Sequence, residues 1–312
     1  MKVAILGAGA FGTALAIALG REGPVTLWGR QLKSRESPRL PGVAMSEGVS
    51  VSAEIADTDD AEVLLLAIPM QALGGFLAEH GARLSSRKLV ACCKGVDLTT
   101  GLGPTALIRN HCRHFAPAIL TGPSFAVDIA RGLPTALTLA CDDDVLGAAL
   151  QERLSTSVLR LYRTTDVTGA ELGGALKNVI AIASGVVIGA ELGDSARAAL
   201  MTRGYAEMVR FAVKQGAKTE TLAGLSGFGD LVLTCTSDHS RNFGYGRALG
   251  ACLPFDRRTT VEGVATAKAV TILAGSQEIE MPITFMVSAL IAENISLSEA
   301  ILALLSRPLK QE

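Results

Sequence analysis

Five short groups of residues carry chemistry that an ordinary globular chain has no use for. The first, Gly7-Ala8-Gly9-Ala10-Phe11-Gly12, spells G-x-G-x-x-G directly after the apolar run Val3-Ala4-Ile5-Leu6. Between a strand and a helix, the first glycine makes the tight turn and the second lets backbone approach a pyrophosphate. The third lets the helix pack on the strand. The helix N-terminus then offers free N–H groups and the positive end of its dipole to the phosphates. Such a loop serves NAD or NADP. The alternative is a plain glycine-rich strand-to-helix turn.

An acidic residue at the end of the next strand would bind the ribose 2′-hydroxyl of NAD. Here that strand ends Trp28-Gly29-Arg30, with Arg35 shortly after. An arginine at that place can pair with a 2′-phosphate, which favours NADP(H) with NAD(H) tolerated. The competing reading is a solvated cation at a strand end.

The other four groups are polar residues in apolar company. Lys94-Gly95 follows the run 88–93, and Gly122-Pro123-Ser124-Phe125-Ala126 follows Ala118 to Thr121. Both fall at the carboxyl ends of strands, where open α/β sheets bind ligands. Lys177-Asn178 interrupts an apolar helix, and Gly227-Phe228-Gly229-Asp230 leads through Leu231 to Thr234 toward Ser240-Arg241-Asn242. A dehydrogenase needs a group that takes the hydroxyl proton as hydride leaves carbon. A lysine desolvated in an apolar helix has its pKa lowered toward that task. Taken singly, Lys177 also reads as a snorkelling stem with a wet head, Asp230 as a loop or cap residue, and Arg241 with Asn242 as the decorated start of a helix.

The elements that must position these groups follow from the hydropathy pattern. Val3–Leu6, Val25–Trp28, 62–68, 88–93, 118–121 and 135–140 read as strands buried on both faces. Helical spacing over Thr13–Leu19, 71–84 and 104–112 lies between them, and this alternation predicts a doubly wound, mainly parallel sheet. From Asp166 onward no convincing strand occurs. Helices are expected over roughly 166–192, 194–216, 240–250, 258–275, 282–293 and 296–305, with Thr165 or Asp166 as the cap at the boundary. The expected class is α/β: a Rossmann-type doubly wound sheet (1–165) followed by an all-α substrate domain (166–312).

Composition agrees with a folded enzyme and excludes several partners. The 312 residues are 49% hydrophobic and 19% charged, with a formal net charge of -1. No global basic field invites nucleic acid or acidic membranes. The uncharged run from Val3 to Gly20 has the look of a signal peptide, but its regularly spaced glycines argue against an apolar h-region. The run 178–190 is short for a membrane span and reads as part of a buried helix. Cys92, Cys93, Cys112, Cys141, Cys235 and Cys252 show no metal-like spacing and read as small buried hydrophobes, with no metal site expected and a cytoplasmic location.

Taken together, Gly7–Gly12, Lys94-Gly95, TGPSFA (121–126), ELGGALKNVIAIASG (171–185), LSGFGDLVLTC (225–235), SRN (240–242), VEG (261–263) and MPIT (281–284) are similar to the successive signatures of bacterial biosynthetic NAD(P)-dependent glycerol-3-phosphate dehydrogenases. The resemblance implies interconversion of dihydroxyacetone phosphate and sn-glycerol 3-phosphate for glycerophospholipid synthesis, with a small phosphorylated substrate and a homodimer. It implies Lys177 as the proton acceptor, with Asp230 beside it. Lys94, Gly122, Ser124, Asp230, Ser240, Arg241 and Asn242 match substrate-binding positions, with Arg241 and Asn242 as the phosphate grip. Ala10, Phe11, Arg30, Lys94, Ala126, Arg241 and Glu262 match cofactor contacts beside Gly7, Gly9 and Gly12. The stretch 31–49 departs from the family: it is short and arginine-rich where relatives carry a longer helix. Two rivals stand: a β-hydroxyacid or ketopantoate-type reductase, which needs a cation but no phosphate cage, and a non-catalytic NADPH-sensing regulator, which needs no lysine–aspartate–arginine set.

Overall fold

The computed structural model describes residues 1–305 other than Lys33, Pro38 and Arg257; the tail after Pro308 falls outside the described residues. The chain opens with β1 (Val3–Leu6), α1 (Ala10–Gly20), β2 (Val25–Trp28) and β3 (Val49–Ser52). It continues through β4 (Val63–Leu66), α2 (Met70–Leu84), β5 (Lys88–Ala91), α3 (Pro104–His111), β6 (Ala118–Thr121), α4 (Ala126–Arg131), β7 (Thr135–Cys141), α5 (Asp144–Leu154) and β8 (Leu159–Thr164). The eight strands form one sheet in the order β3-β2-β1-β4-β5-β6-β7-β8. All neighbours are parallel except β6 and β7.

The order reverses between β1 and β4, and that crevice is where such sheets take their ligand. The run that resembled a signal peptide supplies β1 and α1 and lies in the core: Ile5, Ala14, Leu15 and Ala18 are each buried. Two of the strands, β3 and β8, have no counterpart in the sequence reading. Both are alternating rather than continuously apolar, and β8 (LRLYRT) lies at the sheet edge with Arg160 and Tyr162 exposed. A search for uniformly apolar runs passes over edge strands of this kind.

Beyond β8 every described element is helical: α6 (Val167–Gly189), α7 (Gly193–Lys214), α8 (Thr219–Ala223), α9 (Asp230–Thr236), α10 (Arg241–Gly250), α11 (Glu262–Ser276), α12 (Pro282–Ile291) and α13 (Leu297–Leu305). Asp166 caps α6, its carboxylate accepting from Gly169 N at 2.9 Å and from Lys218 N at 2.8 Å. The 23-residue α6 is long and apolar enough to cross a membrane by composition, but 83% of its apolar window is buried inside the fold. It is the axis of the helical half. Its Ile180, Ile182 and Val187 pack with Phe211, Leu231, Val270 and Met281 in one apolar cluster.

Five of the six cysteines are buried hydrophobes, as composition suggests; Cys252 departs from that expectation and is exposed. Burial, the largest cause, pushes the Cys235 thiol up to about 12.

Candidate functional site

The nucleotide loop is built from backbone. Gly7 has φ +118° and abuts the carbonyl of Ala67, just beyond β4, so a side chain there would be both strained and blocked. A Cβ on Gly12 would strike the carbonyl of Gly7, so the third glycine seats α1 on the turn. Gly9 differs from both: nothing stands within 4 Å of where its Cβ would be. It is also the N-cap of α1 and contributes no side-chain cap. The first-turn N–H groups at Ala10, Phe11 and Gly12 thus face an open approach over Gly9, which suits a pyrophosphate. The residues present fit a dinucleotide.

Arg30 stands exposed just past β2 and pairs with no carboxylate among the described residues. Ala126 opens α4, which packs against α1, so Ala126 and Phe11 share one partly buried apolar margin.

The second wall is built from side chains. Lys94 follows β5 and Lys177 lies near the middle of α6, yet both reach one carboxylate. Lys94 Nζ donates to Asp230 Oδ2 at 2.6 Å, and Lys177 Nζ lies 3.1 Å from Asp230 Oδ1. Lys94 also donates to the carbonyl of Gly122 at 3.2 Å, and that glycine turns at φ +131°. Ser124 Oγ lies 3.4 Å from the same carbonyl. Lys177 is 7% exposed, so it is no snorkelling lysine; its second partner is Thr234 Oγ1 at 2.6 Å. Thr234 in turn donates to Asp230 Oδ1 at 3.2 Å.

The chain carries Asp230 inward by a π-helical turn, Leu225–Gly229, that runs straight into α9. π turns inside helices recur at functional sites because the extra residue re-aims the next side chain. Asp230 is 1% exposed, and Thr234 follows one turn later on the same face of α9. Thr234 lies within the motif LSGFGDLVLTC, where sequence alone assigns it no role. Its i, i+4 spacing from Asp230 was the available signal.

Burial pushes the Lys177 ammonium down to about 8; the Asp230 carboxylate opposes this, and the Lys94 ammonium reinforces it. A lysine so placed exchanges a proton near neutrality. The unfolded group titrates near 10.5, so the folded state binds fewer protons between about 8 and 10.5. Stability from this group therefore rises with pH across that window, and below it the cost of burying the ammonium is present in full.

Ser240, Arg241 and Asn242 form the N-terminus of the ten-residue α10. Ser240 Oγ accepts from Phe243 N at 3.2 Å and so caps the helix. Arg241 is exposed, with Nη2 3.7 Å from Glu262 Oε1 at the start of α11. Asn242 is buried and bridges helices: its Nδ2 donates to Asn178 Oδ1 at 2.9 Å and its Oδ1 accepts from Gly263 N at 2.9 Å. Asn178 follows Lys177 directly, so the proton-exchange residue and the α10 N-terminus are joined by one hydrogen bond. Close helix packing supports this. A Cβ on Gly185 would strike the Phe243 carbonyl, and one on Gly246 would strike the Ile182 carbonyl, so α6 and α10 meet backbone to backbone.

The geometry therefore brings Lys94, Gly122, Ser124, Lys177 and Asp230 to one place and joins Ser240, Arg241, Asn242 and Glu262 to it through Asn178. Such a set can exchange a proton with a hydroxyl or carbonyl and hold an anion at a helix N-terminus.

Known proteins share this fold. Residues 2–146 match the model of the NAD-dependent glycerol-3-phosphate dehydrogenase N-terminus, and residues 166–302 match that of its C-terminus. A protein of Cereibacter sphaeroides named glycerol-3-phosphate dehydrogenase [NAD(P)+] is 66% identical, over 99% of this chain and 100% of its own. One of the same name from Paracoccus denitrificans is 61% identical over the full length of both. The crystal structure of glycerol-3-phosphate dehydrogenase from Coxiella burnetii superposes with a TM-score of 0.92 at 34% identity, covering 98% of this chain and 99% of that one. The chain belongs to the NAD-dependent glycerol-3-phosphate dehydrogenase family.

Proposed function

We propose that the protein interconverts dihydroxyacetone phosphate and sn-glycerol 3-phosphate, with NADP(H) preferred and NAD(H) tolerated. The observation that carries the reading is the Lys177 ammonium, buried and bonded to Asp230 and Thr234 beside a second lysine. When bound, the nicotinamide supplies or accepts the hydride at the carbinol carbon. Lys177 supplies the matching proton. In reduction its ammonium hydrogen-bonds the ketone oxygen and passes a proton to it as the carbon–oxygen double bond becomes a single bond. In oxidation neutral Lys177 takes that proton back.

Asp230 holds both lysines in place, and Lys94 adds a second positive charge for the oxygen as negative charge grows there. Arg241 and the free N–H groups of α10 hold the phosphate, with the remaining Asn242 amide hydrogen. Gly122 and Ser124 border the substrate from the sheet side. Arg30 takes the 2′-phosphate of NADP(H), the first turn of α1 takes the pyrophosphate, and Ala126 and Glu262 border the cofactor.

The two halves are proposed as domains divided at 165/166, and the protein as a cytoplasmic homodimer. Buried free thiols support a reducing compartment, while the dimer rests on family resemblance; light scattering measures it. Nothing in the site favours the ketopantoate-type or sensor readings over this one. The test follows nicotinamide absorbance with dihydroxyacetone phosphate, ketopantoate or no substrate, using each cofactor in turn. Turnover with dihydroxyacetone phosphate is expected. Turnover with ketopantoate alone, or tight cofactor binding with no turnover, overturns the reading.

With Lys177 titrating near 8, reduction should fall as pH rises through that value and oxidation should rise.

A further inference from the structure

Glu171 lies six positions before Lys177 on α6, pointing away from the cluster just described. Its carboxylate reaches out of the helical half and accepts from Thr105 N, in the first turn of α3, at 2.7 Å. The α3 N-terminus has no side-chain cap of its own: its N-cap is Gly103 and Pro104 follows. A carboxylate there satisfies an orphan N–H and meets the positive end of the helix dipole. The fit is close. A Cβ on Gly103 would stand 2.5 Å from Glu171 Oε2 and 3.0 Å from its Cδ. Burial raises the Glu171 pKa and the hydrogen bond from Thr105 opposes the rise, with Arg109 of the same α3 as the nearby cation.

The loop 94–103 explains why this peg matters. It begins at Lys94 and ends at Gly103, so one short segment carries the second lysine at one end and the α3 cap site at the other. The segment is internally braced. Asp97 Oδ2 accepts from Thr100 N at 2.8 Å, Asp97 N donates to Leu102 O at 2.9 Å, and Gln71 Nε2 donates to Val96 O at 2.8 Å. Lys94 and Lys177 are therefore tied at two points: through Asp230 within the site and through Glu171 outside it. A substrate oxygen placed between the lysines must share them with Asp230. The outer tie is untouched by that exchange.

We propose that Glu171 is a positioning residue whose cap on α3 sets the register of α6 against the Lys94 loop, and so the spacing and burial of Lys177 beside Lys94. The proposal rests on the functional reading above for its kinetic readout, and it reaches the reaction only through the lysines.

The test compares Glu171→Ala, Glu171→Gln and Gly103→Ala in the full-length protein. Glu171→Gln keeps the accepting oxygen, whereas Glu171→Ala removes it and Gly103→Ala displaces it from the opposite side. Glu171→Ala is expected to lower kcat at least tenfold with KM for the nicotinamide cofactor unchanged. It should also move the Lys177 titration up from about 8 toward 10.5 as the ammonium gains water. Glu171→Gln should restore kcat to within about threefold, and Gly103→Ala should reproduce the Ala phenotype even if Glu171→Ala fails to fold. The titration is followed by NMR on enzyme carrying ε-15N lysine, with no substrate present. An unchanged Lys177 midpoint in both Glu171→Ala and Gly103→Ala, with only the melting temperature lowered, overturns the proposal. So does a Gln variant as impaired as the Ala one. If the midpoint moves but the wild type never turns over dihydroxyacetone phosphate, the functional reading fails and the positioning role stands.

Discussion

The two walls of the cleft are made of different material. The nucleotide loop is six consecutive residues that, on the reading proposed above, bind through backbone, and Gly7 and Gly12 leave no room for a side chain. The opposite wall draws Lys94, Lys177, Asp230 and Arg241 from a loop and three helices, and on the functional reading proposed above its side chains are the reagents. A backbone site tolerates little added volume, because every atom of approach is already used. A side-chain site tolerates little removed, because Lys94, Lys177 and Asp230 are held against one another largely out of water. Substitutions that add atoms should therefore harm the first wall, and substitutions that remove them the second.

The largest effect should come from Lys177→Ala. Loss of the proton donor is expected to cost about 10²–10⁴-fold in kcat, with cofactor affinity measured by fluorescence nearly intact. A kcat within threefold of wild type would break the division between the walls. Next, Arg241→Ala should raise KM for the phosphorylated substrate roughly 10–100-fold, the loss of a charge-assisted hydrogen bond. An unchanged KM moves the phosphate grip elsewhere.

On the other wall the sign of the experiment reverses. Gly12→Ala adds one methyl against the Gly7 carbonyl and should cost about 1–3 kcal/mol of stability, with weaker cofactor binding and kcat at saturating cofactor little changed. Thermal denaturation with and without cofactor reads both. The smallest effect is expected from Arg30→Ala, an exposed cation. It should raise KM for NADPH several-fold and leave KM for NADH in place; equal changes for both would remove Arg30 from cofactor selection.

The same contrast explains what could be seen in the sequence. A backbone site requires a contiguous motif, so Gly7–Gly12 and the strands around it are legible from spacing alone. Most of the helical half was legible because its apolar residues recur at helical spacing, but α8 and α9 lie within 217–239, where no helix was expected. Asp230 was not legible as the shared anion of two lysines from spacing. Its partners Lys94 and Lys177 lie far apart in the chain, and family resemblance alone pointed to the set. Thr234 was missed because a threonine in an apolar run reads as core. The cap role of Ser240 and the Asn178–Asn242 bridge depend on a helix crossing that no local pattern encodes. Strands β3 and β8 were missed for a different reason: an edge strand with one wet face does not look like the buried strands beside it.

The apolar helix α6 also has a consequence for how the protein is made. Its partners lie on both sides in the chain: β6 before it, α7, α9, α10 and α11 after it. On the ribosome the sheet strands emerge first, but α6 is not fully covered until the chain has grown from Gly189 to Ser276. At about 5–20 residues per second that interval is several seconds. During it, a segment with the length and hydropathy of a membrane span is incompletely covered. A nascent chain of this sequence should therefore recruit holding chaperones as α6 emerges and release them once α11 is complete.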